Sequence, residues 1–185
     1  MFGLFGKNNF EALTQGIYTS IVEQSRQPAF YQSFGVPDTP EGRFDMIVVH
    51  TFLVLRLLKN ETGEGTDLAQ AIFDLMFADM DQNLRELGTG DTGIGKKIKA
   101  MAEAFYGRVE AYEAGLTGQA SLEDALDRNL YRKTATDPAH IASFAHYVRR
   151  EARQLEDKPL EALLAGDLTF GQPPSLLTEN SKENQ

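Results

Sequence analysis

Apolar residues recur every three to four positions through nearly the whole chain, and no stretch alternates with a period of two. That periodicity is what one buried stripe on a helix requires, and it excludes the half-buried strands of a sheet. It predicts an all-α single-domain bundle of about six to eight helices over residues 1–170. From residue 171 the composition turns to Pro, Ser, Glu, Asn and Lys without an apolar pattern, which predicts a flexible tail over 171–185.

The boundaries follow from caps and breakers. Phe10, Leu13, Ile17, Ile21 and Val22 predict a first helix over about 9–26, ended by Pro28. Asp38-Thr39-Pro40-Glu41 reads as a helix start, with Thr39 as N-cap and Pro40 at the first helical position. The helix it opens, about 40–59, is apolar on nearly every side from Met46 to Leu58, as a central element should be. A third helix is expected over 66–87 and a fourth over 95–114, with Gly88–Gly95 as the break between them. Ser121-Leu122-Glu123-Asp124 resembles a capping box and predicts a helix reaching about Lys133. Asp137-Pro138 opens another to about Leu155, and a short one is expected over 159–165.

The segment Asp79–Lys97 offers three chemical readings, and each fails on context. Gly90-x-x-x-x-Gly95-Lys96 imitates a phosphate loop, but helix rather than strand precedes it. Lys97 also occupies the place of the magnesium-binding Ser or Thr. Gly88-x-Gly90-x-x-Gly93 lacks the βαβ unit of a dinucleotide site. Asp79-x-Asp81-x-Asn83 opens like a calcium loop, yet Leu84 and Gly90 stand where its Gly and its bidentate Glu belong. On a continuous helix Asp79 and Asp81 point about 200° apart.

With no cysteine and three histidines, thiolate chemistry and clustered imidazole sites have little to build on. His140 and His146 are six apart and share no helical face, while His50 sits among apolar neighbours. We assign no catalytic residue, no metal and no cofactor. A net charge of −9 argues against nucleic-acid binding. The start Met1-Phe2-Gly3-Leu4-Phe5 is too short for a signal peptide, and at most touches a membrane surface weakly.

Polar residues on otherwise apolar helices are left to explain: Arg43, Asp45 and His50 on the second, Asp79, Asp81, Arg85 and Glu86 on the third, and Arg108 on the fourth. Charges near a core are costly unless paired. They therefore either fix helix register through ion pairs or line a polar groove for a partner. The aromatic and Met residues Phe73, Met76, Phe77, Met80, Phe105 and Tyr106 are either core or adaptable groove walls.

These residues fall in blocks that resemble the ubiquinol–cytochrome c chaperones. The blocks are Pro37–Asp45 leading to His50, Leu68–Ala71, Phe77–Asp91 and Met101–Arg108, within a likeness running from about Tyr31 to Tyr147. Gly95 stands where bacterial members often have Pro. The resemblance implies a non-enzymatic assembly chaperone of the cytochrome bc1 complex that binds newly made cytochrome b. It also implies other bc1 subunits or a small partner protein as companions. The expected place is the cytoplasm, with peripheral contact at the cytoplasmic face of the inner membrane. The partner-binding residues it marks are Arg43, His50, Asp79, Asp81, Arg85, Asp91, Tyr106 and Arg108. A nucleotide-binding helical protein using Gly88–Lys96, or a general helical adaptor, is the alternative.

Overall fold

In the computed structural model, residues 6–88, 90–132 and 134–173 are described, without the side chains of Lys7, Asp91 and Thr92. Among them the chain forms eight helices and no strand: α1 (Lys7–Ser25), α2 (Pro28–Gln32), α3 (Pro40–Leu58), α4 (Glu64–Glu86), α5 (Asp91–Leu116), α6 (Leu122–Asn129), α7 (Pro138–Glu156) and α8 (Leu160–Leu164). The all-α expectation holds.

Helix α3 is the axis of the bundle because it is the one helix that is apolar on almost all sides. Every residue from Phe44 to Val54 is buried, and α1, α4 and α7 pack around it. Each fully buried Val, Leu, Ile or Phe contributes about 1.5–3 kcal/mol. Its start is set locally. The Thr39 hydroxyl accepts from the Gly42 N–H at 3.1 Å, and Pro40 presets the first turn. Gly42 is required by packing, since a Cβ there would lie 2.0 Å from the Pro37 carbonyl oxygen. Helix α5 joins the bundle through α4 and α6, and α6 through α7. Gly115 lets α5 close on α6, where a Cβ would meet the Leu122 Cα at 2.7 Å.

Three boundaries depart from expectation. Pro28 does not merely stop α1. It occupies the first position of α2, where its missing N–H costs nothing. Helix α5 begins at Asp91 rather than 95, so Gly93 and Gly95 lie inside it. Each costs about 1 kcal/mol relative to Ala. The apolar face of Ile94, Ile98, Met101 and Phe105, packed inward, offsets that cost. The break between α4 and α5 thus shrinks to Leu87–Gly90, with Gly88 at φ 81° just past the helix end. Helix α6 ends at Asn129 rather than near Lys133 because the chain turns there to bury Leu130 and Tyr131.

Order on the C-terminal side reaches past α8. The Gly171 N–H donates to Glu151 Oε2 and its carbonyl accepts from Gln24 Nε2, both at 2.8 Å. Arg150 holds the Gln172 carbonyl at 2.6 Å. Residues 1–5 and 174–185 lie outside the described residues, and with them most of the expected tail and the apolar N-terminal pentad.

Candidate partner-binding surface

One acid on α3 organises the charged part of the surface. Asp45 has no exposure, and two guanidiniums share its carboxylate. Arg108 of α5 approaches Oδ1 at 3.0 Å, and Arg132 approaches Oδ2 at 2.8 Å. Burial pushes the carboxyl up, to about 6, against the opposing pull of the two arginines. It is therefore ionised at neutral pH. Arg132 reaches it from a backbone turned to φ 54°, the sole positive φ of a non-glycine among the described residues. That conformation costs on the order of 1–3 kcal/mol and persists only where the surroundings fix it. Here the surroundings are the buried Leu130 and Tyr131 on one side and Asp45 on the other.

Beside this cluster runs an apolar groove. The start of α3, the second half of α4 and the first half of α5 enclose about 400 Å³, walled by Phe44, Met80, Leu84, Leu87 and Met101 and ending at Arg108 and Arg132. Met80 and Leu87 also line an adjoining cleft of about 500 Å³ that opens toward Arg26 and Arg43. Leu87 is 67% exposed on the rim the two share. One exposed apolar side chain is ordinary, but here Leu87 is continuous with the apolar wall of the groove, and contiguous apolar surface is what marks interaction sites.

The residues marked in the sequence separate into distinct places. Arg43 and Asp79 line the adjoining cleft, and Arg108 lines the groove. Arg43 is exposed and pairs with Asp38 at 2.7 Å. Asp79 accepts from the Tyr18 hydroxyl at 2.8 Å and from Asn83, tying α4 to α1. Asp81 pairs with Arg85 one turn away, at 2.6 Å, on the exposed side of α4. Asp79 and Asp81 therefore diverge along an unbroken helix, which rules out the convergence a calcium loop requires. Tyr106, 61% exposed, lines a different cleft of about 370 Å³ with Phe73, Phe105 and Val109. The Asp91 side chain lies outside the described residues.

His50 is enclosed, and its role is internal. Nδ1 lies 2.9 Å from the Met46 carbonyl, which can only accept, so this nitrogen carries the proton. The Ser25 hydroxyl donates to the Ile21 carbonyl at 2.7 Å and turns a lone pair to the same nitrogen at 3.0 Å. Nε2 then accepts from the Tyr147 hydroxyl at 2.8 Å, and Gln24 donates to that oxygen at 2.8 Å. Burial drives the imidazole down to about 4 and raises the Tyr147 hydroxyl, so at neutral pH both are neutral and keep these roles. Phe170 covers the ring edge-on at 5.2 Å. The chain α1–α7–α3 with the 170–172 segment is thus one polar network in the core. His50 meets a partner only if those elements come apart.

Two members of the charged cluster lie outside the partner-binding residues that the resemblance marks. The position of Asp45 between Phe44 and Met46 signals an acid that must be paired, but not that its partners stand at the groove. Arg132 carried no signal, because its reach depends on a backbone turn.

Comparison with known proteins agrees with this architecture. The sequence profile described as "Ubiquinol-cytochrome C chaperone" matches residues 32–170. The chain belongs to the ubiquinol–cytochrome c chaperone family. Among curated members, ubiquinol-cytochrome c reductase complex assembly factor 1 of Homo sapiens is 28% identical over 83% of this chain and 52% of its own length. The Xenopus laevis counterpart is 28% identical over 80% of this chain and 74% of its own. The chain thus spans about half of the human relative's length. The crystal structure of the Cbp3 homolog from Brucella abortus superposes with a TM-score of 0.82 at 40% identity, covering 89% of this chain and 92% of that one. In this family member, α3, α4 and α5, which form the groove, all fall within the matched residues.

Proposed function

We propose that this chaperone binds newly made cytochrome b and supports its passage into the ubiquinol–cytochrome c reductase complex, without catalysing a reaction. The observation that carries the reading is the family match over residues 32–170, joined to curated relatives named as assembly factors of that complex. The open apolar groove supports it, since a helper of a membrane subunit needs adaptable apolar walls rather than a reaction centre. Among the described residues no helix is long and apolar enough to cross a membrane. We place its work in the cytoplasm and at the cytoplasmic face of the inner membrane, as a peripheral protein.

The test is a clean deletion in the host, complemented by the wild-type gene. Native gels should show less assembled complex and less cytochrome b in the deletion, both restored by complementation. Affinity capture of the chaperone under mild detergent should recover cytochrome b. Unchanged complex levels in the deletion would refute the reading.

A further inference from the structure

We infer that the groove between α3, α4 and α5 docks an apolar segment of the client polypeptide that carries an acidic side chain, with Arg132 as the residue that receives its carboxylate. The walls Phe44, Met80, Leu84, Leu87 and Met101 specify the apolar part. The groove is open along a rim where Leu87 is 67% exposed. An enclosed ligand site would cover most of a small molecule, whereas an open trough between helices fits a peptide laid along it.

The acidic side chain is specified by the donors at the groove's end. Asp45 has two oxygens, and each is already engaged by one arginine. Arg132 contacts that carboxylate through Nε and Nη2, remains 44% exposed and lines the groove, so its Nη1 is not used by Asp45. Asp45 Oδ1 and Arg108 Nε are both buried without a hydrogen bond, so that half of the cluster is closed to a client and Arg132 is its accessible cation. Glu41 also lines the groove, but it is exposed in the first turn of α3 and is screened by water. A planar guanidinium held in place by a buried acid is well suited to a second carboxylate.

This inference rests on the chaperone reading for the source of the segment. A photo-crosslinking residue is placed at Leu87 or, on the separate cleft, at Tyr106, in cells making cytochrome b. In parallel, synthetic peptides tiled over cytochrome b are titrated against the purified full chain. The Leu87 position should capture an apolar stretch containing Asp or Glu. The matching peptide should bind about tenfold more weakly when its acid is changed to the amide. With Arg132→Gln the acid-to-amide change should matter less than about twofold, and the variant's unchanged circular dichroism shows that it folds. If Leu87 captures an apolar acidic segment of another protein, the groove inference stands and the cytochrome b reading fails. If Tyr106 alone captures cytochrome b, the cytochrome b reading stands and the groove inference fails. An amide effect of equal size on wild type and Arg132→Gln also overturns it.

Discussion

Replacing Arg108 by methionine keeps an unbranched apolar stem beside the groove and removes one of the two cations on Asp45. The cost is set by what the buried acid does next. In the native chain Asp45 titrates at about 6, raised by burial and restrained by Arg108 and Arg132. Without Arg108 it moves further up and takes a proton in the folded state, while it stays ionised in the unfolded chain. A carboxyl with a raised folded pKa gives stability that is present at low pH and is lost as pH rises through that value. In the native chain the loss is complete a little above pH 6. In Arg108→Met it continues at about 1.4 kcal/mol per pH unit until the new, higher pKa is reached. Because the native chain still loses its last few tenths of a kcal/mol above pH 6, the gap between the two proteins should be small near pH 6 and wider by about 2 kcal/mol at pH 8. It should level off within the roughly 3–5 kcal/mol typical of breaking a buried pair. In a domain of this size the pH-dependent part corresponds to a difference in melting temperature of roughly 4–8 °C. Urea unfolding of both proteins at pH 6, 7 and 8, followed by circular dichroism, measures it directly. Slopes from all other carboxylates are common to the two proteins and cancel. A gap independent of pH would refute the reasoning, because it would show that Asp45 keeps its charge without Arg108.

His50 runs the opposite way. Its folded value near 4 lies below that of a free imidazole, so the stability it confers is present above about pH 6.5 and is lost as pH falls through 4, by about 3 kcal/mol. In His50→Gln that acid-side loss should vanish, so the gap to wild type should narrow by about that amount between pH 7 and pH 4; a constant gap would refute the assignment. Gly42→Ala should cost about 1–3 kcal/mol, because the new Cβ meets the Pro37 backbone oxygen rather than a movable side chain. Denaturant midpoints would check this, and a neutral or stabilising result would mean the Pro37 turn can shift freely.

What the sequence made legible is what neighbouring residues decide together. The start of α3 was readable because Thr39, Pro40 and Gly42 act within one turn, and the central place of α3 because its apolar run is continuous. The start of α5 was not. Gly93 and Gly95 carry a strong local signal for a break, and it is overridden by packing of Ile94 and Phe105 that only the bundle provides. The charged residues divide by the same rule. Asp81 and Arg85 are one turn apart and exposed, so their pairing follows from spacing, and as a surface pair it contributes less than about 1 kcal/mol. Asp45, Arg108 and Arg132 lie far apart in the chain and meet through burial, where an unpaired charge would be prohibitive. The periodicity of α5 likewise could not say that Tyr106 and Arg108 face different clefts, because that depends on where α3 and α4 stand. A residue such as Arg132, turned left-handed to reach a buried acid at the end of an apolar groove, has no local reason for its conformation. The energy that holds it there comes from the core. A client carboxylate can draw on that rigidity because Arg132 is already fixed before any partner arrives, so little ordering cost falls on binding.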